Sequence, residues 1–213
     1  MRMARNFAGI SALGGLFLLA GCSDPVPPAA QAGISISIVE YDKMAEPDHA
    51  MDFCPPGRHW ANVPYDTSRD PNQQQQQTSA TESKMTAVNN QNGDTVACSV
   101  VPNGNGFKVS GDATGYATSA DKKRNPTTIH IRIPKIAEGD TNAAGTLSVQ
   151  DHASLNPYQS NECSYSVSGM GNLGITAGSV WGSVHCENLK DASALGASCK
   201  VPTGYFLLEN CGQ

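Results

Sequence analysis

Apolar and polar side chains alternate along several short segments of this chain, and this two-residue period indicates its fold class. Gly33–Tyr41 (GISISIVEY) places three isoleucines on one side of an extended backbone and two serines on the other. Thr127–Ile133 (TTIHIRI) sets three isoleucines against a threonine, a histidine and an arginine. This period is typical of strands that bury one face, and no segment carries a helical stripe of comparable length. We therefore expect an all-β protein.

Further strands are predicted where short runs rich in Val, Ile, Thr and Tyr lie between turn signals. These runs are Thr95–Val101, Phe107–Ser110, Thr146–Val149, Ser164–Ser168, Gly178–His185 and Tyr205–Asn210. Turns are predicted at Asn92–Asp94, Asn103–Gly106 and Thr203–Gly204, since Gly and Asn tolerate positive φ. The last turn would join Cys199–Pro202 to Tyr205–Cys211 as a closing hairpin. Short strands and tight turns favour an antiparallel β-sandwich or jelly-roll-like single domain.

The N-terminus has the pattern of an export signal. The first six residues hold two arginines and no acid, and Phe7–Ala20 is a run of apolar and small residues. This run is shorter than the ~20 residues that a transmembrane helix needs. It ends in Leu19–Cys22 (LAGC), which resembles the lipobox of bacterial lipoproteins. The resemblance implies that the chain is cut before Cys22, that the Cys22 thiol is acylated, and that Ser23 directs the protein to the outer membrane.

The same resemblance implies a domain organisation. Residues 1–21 would be the signal peptide, and residues 22–33 a Pro/Ala-rich tether that begins with the lipidated cysteine. The β domain would occupy residues 34–213 in the cell envelope, on the periplasmic or the surface face of the membrane. Residues 68–84 include five consecutive glutamines and lack apolar content, which predicts a disordered loop within this domain.

The C-terminal third carries a second resemblance. Gly178–Leu189, followed by Cys199 and then Tyr205–Cys211, is similar to uncharacterised lipoproteins of some Gram-negative bacteria. The resemblance implies a lipoprotein, and it carries over no activity, substrate or catalytic residue.

Six cysteines remain when Cys22 is set aside. They are Cys54, Cys98, Cys163, Cys186, Cys199 and Cys211. An even number of cysteines in an exported chain predicts three disulfides, and the absence of a Cys-x-x-Cys pair disfavours zinc or redox chemistry. Sequence alone leaves 15 pairings open. We expect Cys54 to pair with Cys98, and the four C-terminal cysteines to pair among themselves.

Asp140–Asp151 partly resembles a calcium-binding loop. Asp140, Asn142 and Asp151 supply oxygen ligands at positions 1, 3 and 12, and a glycine stands at position 6. The run departs from the EF-hand pattern at Ala144 and at its last residue, and a turn between two strands explains the same residues. A metal site is therefore not predicted, and these three residues are weak candidates only.

A second cluster of ligand-type side chains precedes the first tryptophan. Its members are Asp48, His49, Asp52 and His59. No helical spacing fixes their geometry, so solvated loop residues explain them as well as a transition-metal site.

No sequence motif for nucleophilic catalysis is complete. The chain lacks Gly-x-Ser-x-Gly, and Ser119–Lys122 satisfies Ser-x-x-Lys without the partner motifs of that enzyme class. Asp151 and His152 are neighbours, and neighbouring side chains point apart on a strand. The single basic run, Lys122–Arg124, follows an aspartate and is explained by a solvated turn. We therefore expect no enzymatic activity and no cofactor other than the covalent lipid.

Aromatic side chains offer a surface on which sugars could stack. The candidates are Trp60, Tyr65, Trp181 and Tyr205. Trp181 alternates with serines at two-residue steps, so it points away from Val180 and Val184. We expect Trp181 to face the core and these two valines to face outward, because large aromatic side chains dominate burial in an aromatic-poor domain.

The formal net charge of −5 argues against a nucleic-acid partner, which would call for a basic face. The leading hypothesis is a lipid-anchored envelope protein with a non-enzymatic binding, adhesion or structural role, whose partner is an envelope or extracellular protein or glycan. The alternatives are an envelope enzyme or inhibitor acting on glycan or peptide, and a carbohydrate- or calcium-dependent binding module.

Overall fold

The computed structural model describes residues 27–40, 59–64, 86–116, 126–151, 157–167, 174–191 and 198–212. Several predicted features lie outside these residues: the signal peptide, the lipobox, Cys54, the loop at 68–84, Asp48, His49, Asp52, Tyr65, Ser119–Lys122, Lys122–Arg124 and His152. Every regular element of the described residues is a strand. The strands are β1 (Gln31–Glu40), β2 (His59–Val63), β3 (Ala87–Val88), β4 (Thr95–Asn103), β5 (Gly106–Gly115), β6 (Thr127–Ile136), β7 (Ala143–Gln150), β8 (Tyr158–Ser166), β9 (Ile175–Thr176), β10 (Ser179–Asp191) and β11 (Ser198–Glu209).

The strands form one antiparallel sheet in the order β2-β1-β11-β10-β8-β7-β6-β5-β4, with β3 added to β1 and β9 to β10. The sheet curls until its ends meet: β2 contacts β5 and β6, and β3 contacts β4. Beyond β11, the Gly212 N–H donates to the Cys98 carbonyl at 2.9 Å, and the Gly212 carbonyl accepts from the Val100 N–H at 3.1 Å. The all-β antiparallel prediction is confirmed, and the curled sheet is compatible with the sandwich or jelly-roll class. No helix long and apolar enough to span a membrane occurs among the described residues.

The inward faces of the curled sheet form the core. The two predicted isoleucine stripes both lie there, and no isoleucine of either stripe is more than 3% exposed. Tyr165 packs edge-on against Phe206 with ring centroids 5.7 Å apart, and its hydroxyl donates to the Thr146 carbonyl at 2.7 Å. Burial raises the pKa of Tyr165 far above its ordinary value. The two-residue period therefore predicted correctly which side chains build the interior.

The predicted closing hairpin is wrong, because β11 continues through Thr203 and Gly204 without a turn. A Cβ at Gly204 would lie 2.7 Å from the Val184 side chain and 2.8 Å from the Ile36 side chain. The glycine therefore permits close packing between strands instead of a change in chain direction. The other two predicted turns are present, with positive φ at Asn92, Gly93 and Gly104.

Two disulfides join described cysteines, Cys98 to Cys211 and Cys163 to Cys186. The predicted pairing of Cys54 with Cys98 is wrong, because the chain after β11 runs beside β4 and brings the Cys211 Cα within 4.8 Å of the Cys98 Cα. Of the four C-terminal cysteines, Cys163 and Cys186 pair with each other as expected, whereas Cys211 pairs outside this group. Cys199 is also disulfide-bonded. The Cys98–Cys211 bond spans 113 residues of sequence, and a loop of that length is worth about 4–5 kcal/mol in a chain-entropy model.

Candidate functional site

A row of polar side chains crosses four neighbouring strands on the outward face of the sheet. Asp112 on β5 lies opposite His130 on β6, His130 lies opposite Ser148 on β7, and Ser148 lies opposite Gln159 on β8. Directly opposite residues of antiparallel strands have Cβ atoms ~4.5–5.5 Å apart. We call these four residues the polar row. Their side chains are half-buried or exposed, so the row is open to solvent.

The histidine of the polar row is held by its acidic neighbour. His130 Nδ1 lies 2.6 Å from Asp112 Oδ1, and a carboxylate accepts hydrogen bonds but donates none. The Nδ1 atom therefore carries a proton, and the neutral ring has its lone pair on Nε2. Within the described part of the chain, no hydrogen bond reaches Nε2. The His130 side chain is 46% exposed, so this nitrogen is available to accept a proton.

Arg132 fixes the carboxylate from the same strand as the histidine. Its Nη2 donates to both Asp112 oxygens, at 2.6 and 2.8 Å, and its Nη1 donates to the main-chain carbonyls of Gly111 and Ile131. Burial raises the pKa of Asp112, but the hydrogen bonds from His130 and Arg132 outweigh burial and the net pKa lies below its ordinary value. Asp112 is therefore a fixed, ionised carboxylate at neutral pH.

Sequence motifs missed the polar row because its members come from four separate strands. His130 lies 18 residues after Asp112, and Ser148 lies 18 residues after His130. The alternation of β6 already predicted that His130 points outward. Only the strand register, however, brings Ser148 opposite it. The strand order and register together are the signal that brings the four residues into one row.

A second histidine on the outward face has a different environment. His185 Nε2 lies 2.7 Å from Glu187 Oε1, and its Nδ1 lies 3.2 Å from the Pro202 carbonyl. Both partners only accept hydrogen bonds, so both bonds require the doubly protonated ring. The hydrogen bond that His185 donates to Glu187 raises the pKa of His185, burial lowers it, and the Pro202 carbonyl raises it; the net direction is upward. Ser164 lies opposite on β8, but neither nitrogen of His185 is left to accept its proton.

The three weak calcium candidates are not brought together. Asp140 forms a turn before β7, where its Oδ2 accepts from the Ala137 N–H at 2.7 Å. With Asn142 it borders an open cavity of about 480 Å³. Asp151 is buried beyond the other end of β7, where Thr127 donates to it at 3.2 Å. Eight residues of strand separate the two ends by ~26 Å at ~3.3 Å per residue, and the described residues hold no group of three ligand-type acids, histidines or cysteines.

The aromatic candidates that the structure describes do not form an open platform, and Tyr65 lies outside the described residues. Trp60 and Trp181 are each only 6% exposed. The expected orientation of Trp181 is wrong: Val180 and Val184 face the core, and Trp181 is buried on the opposite, serine-bearing face beside Leu207. Tyr205 lies on that face too and is half-buried. A sugar could therefore stack on the two tryptophans only if the groups that bury them moved away.

Comparison with protein-family models, with curated proteins and with solved structures finds no match for this chain.

Proposed function

We propose that this protein is a lipid-anchored β domain of the bacterial cell envelope that presents its outward sheet face to a polar envelope ligand. The observation that carries the proposal is Leu19–Cys22, which follows a positively charged start and an apolar run. Acyl chains contribute ~0.8 kcal/mol per buried CH₂ group, so two or more chains on Cys22 hold a protein at a bilayer without a spanning segment.

The predicted boundary between the tether and the β domain, after residue 33, is wrong, because β1 already begins at Gln31. The start of the described chain supports a shorter tether. Four residues, 23–26, separate Cys22 from Pro27. From Pro27 onward the chain follows the domain: the Asn210 side chain donates to the Ala29 carbonyl at 3.2 Å, and the Asn89 N–H donates to the Ala30 carbonyl at 2.9 Å. Five extended residue steps span at most ~18 Å. The anchored domain would therefore stand against the membrane, with the end of β11 nearest the lipid.

The composition of the outward face supports a hydrogen-bonding ligand. Besides the polar row, β5 and β6 present Thr114 and Thr128, whose hydroxyls lie 3.2 Å apart, and β7 presents Gln150 opposite Thr128. Hydroxyl, amide and carboxylate groups on an open surface suit a glycan or the polar surface of another envelope protein. The acidic net charge disfavours a polyanion such as nucleic acid.

Replacing the acylated residue tests the anchor. Cys22→Ala should move the protein from the membrane fraction to the soluble fraction and abolish incorporation of labelled palmitate. Ser23→Ala keeps the cysteine and serves as the matched control, which should remain in the membrane fraction. Membrane association of Cys22→Ala that survives a high-pH carbonate wash would contradict the proposal. Protease treatment of intact cells, with a periplasmic protein as control, then distinguishes the surface face from the periplasmic face.

A further inference from the structure

We infer that the polar row is an acyl-ester hydrolysis site, with Ser148 as nucleophile and His130 as general base. The inference gives a chemistry to the outward face proposed above as the binding surface, and it does not depend on the lipid anchor. It departs from the expectation of no activity, which rested on sequence motifs. The order of residue types across the strands carries the inference: an acid, a histidine, a serine and an amide donor, each directly opposite the next.

Each member of the row has the bonding that its role requires. Asp112 accepts a hydrogen bond from His130 Nδ1–H, which leaves the lone pair of the neutral ring on Nε2, and Ser148 lies opposite His130 on β7. Gln159 lies beyond the serine, where its amide group can donate to a developing oxyanion. Lys190 lies opposite Gln159 on β10 and adds positive charge at that end of the row. The Ser148–His130 hydrogen bond is not formed in the free protein, and such bonds often tighten only when substrate binds.

The reaction has two balanced halves. Ser148 Oγ attacks the ester carbonyl carbon while its proton moves to His130 Nε2, and the carbonyl oxygen becomes an oxyanion. The carbon–oxygen bond to the alcohol then breaks, and the alcohol leaves with the proton from His130, which gives an acyl-serine. Water attacks the acyl-serine and passes a proton to His130. Release of the carboxylic acid returns that proton to Ser148, with no other reactant consumed.

The openness of the row indicates the form of the substrate. His130 and Asp112 are 46% and 38% exposed, on a sheet face that does not enclose a small molecule. Such a face accommodates an ester projecting from an extended polymer, whose remaining residues lie along the neighbouring hydroxyls of Thr114 and Thr128. The substrate class is therefore an O-acyl ester on a polymeric chain such as an acylated glycan.

The protein contains its own control for this inference. Ser164 lies opposite His185 as Ser148 lies opposite His130, and both serines are half-buried on the outward face. His185 bonds both of its ring nitrogens to acceptors, so it cannot act as a base for Ser164. A reagent that merely modifies accessible serines would label both positions, whereas an activated serine is labelled alone.

The experiment uses the full-length protein in detergent micelles, a fluorophosphonate probe and p-nitrophenyl acetate. We expect the probe to label Ser148 and leave Ser164 unlabelled, as mapped by peptide mass spectrometry. Ser148→Ala should remove both labelling and ester hydrolysis, His130→Gln should lower the hydrolysis rate by at least ~100-fold, and Ser164→Ala should leave the rate unchanged. Circular dichroism and melting temperature verify that each variant is folded.

Absence of labelling at Ser148, or equal hydrolysis by the parent protein and Ser148→Ala, would overturn the inference. The fractionation of Cys22→Ala is measured separately, so the anchor and the hydrolysis fail or succeed independently. If folded Ser148→Ala hydrolyses the ester as fast as the parent protein and still binds glycan, the outward face binds glycan without acyl chemistry.

Discussion

His130 and His185 lie on the same outward surface, and each has an acidic residue beside it and a serine opposite it on the next strand. Their hydrogen bonds differ. Asp112 binds Nδ1 of His130 and leaves Nε2 free, whereas Glu187 and the Pro202 carbonyl occupy both nitrogens of His185. The same residue types therefore give a potential base in one place and a fixed cation in the other.

The cause of the difference is where the acid lies relative to the histidine. Asp112 comes from a neighbouring strand and binds Nδ1 of His130, and Arg132 fixes its two oxygens. Glu187 lies two residues after His185 on the same strand, and its carboxylate accepts a hydrogen bond from His185 Nε2. The pairing of β10 with β11 shifts register between Val184 and Cys186, and the Pro202 carbonyl lies within hydrogen-bond distance of His185 Nδ1 there. Strand register, more than composition, sets the role of each histidine.

The largest expected difference between the two histidines is in ester hydrolysis. His130→Gln removes the base that we assign to the Ser148 proton, and we expect a loss of ~100- to 10,000-fold in kcat/KM. His185→Gln should change kcat/KM by less than about twofold, because His185 touches no member of the polar row. Initial rates with p-nitrophenyl acetate measure both variants. Equal losses in the two variants would contradict the distinction.

A smaller effect is expected from Arg132→Gln. This substitution removes a fixed cation from Asp112, so the pKa of Asp112 should rise toward its ordinary value. The titration of the Asp112 carboxyl carbon, followed by ¹³C NMR, should therefore move to higher pH. The carboxylate is also held less firmly against His130, so we expect a loss of about tenfold or less in kcat/KM near neutrality. Lys135→Gln, on an exposed position farther along β6, is the matched control. An unmoved Asp112 titration would mean that Arg132 does not hold down the pKa of this carboxyl.

The smallest effect concerns stability around His185. The folded state raises the pKa of His185 above its ordinary value of 6.5, so its contribution to stability is fully present below about pH 6.5 and is lost as pH rises through the raised pKa. We expect less than about 1 kcal/mol, since the pair is solvent-exposed. Urea unfolding at pH 6 and pH 9 should show a smaller decline for His185→Gln than for the parent protein. If the free energy of unfolding declines equally in His185→Gln and in the parent protein, His185 is not the source of the decline.

The sequence predicted the parts of the fold that depend on local pattern. The isoleucine stripes of β1 and β6 follow from a two-residue period and lie in the core as expected. The period also predicted that His130 faces outward. Local pattern predicted neither the straight passage of β11 through Gly204 nor the burial of Trp181 on the outward face, because both depend on what packs against them from distant segments.

The polar row and the disulfides were beyond local pattern for the same reason. Ser148 meets His130, and Cys211 meets Cys98, only after the strand order and register are set. Sequence spacing suggested pairing each cysteine with a near neighbour along the chain. That interpretation agrees with Cys163 and Cys186 and fails for Cys98, where the curl of the sheet brings the end of the chain beside β4.

The most direct test of the contrast between the two histidines is the ¹⁵N chemical shifts of their ring nitrogens, followed by pH titration of the full-length protein. The account predicts that neutral His130 carries its proton on Nδ1 and shows an unprotonated Nε2, and that His185 keeps both ring protons at pH values above 6.5. A neutral His130 with its proton on Nε2, or a His185 that loses a proton below pH 6.5, would contradict it.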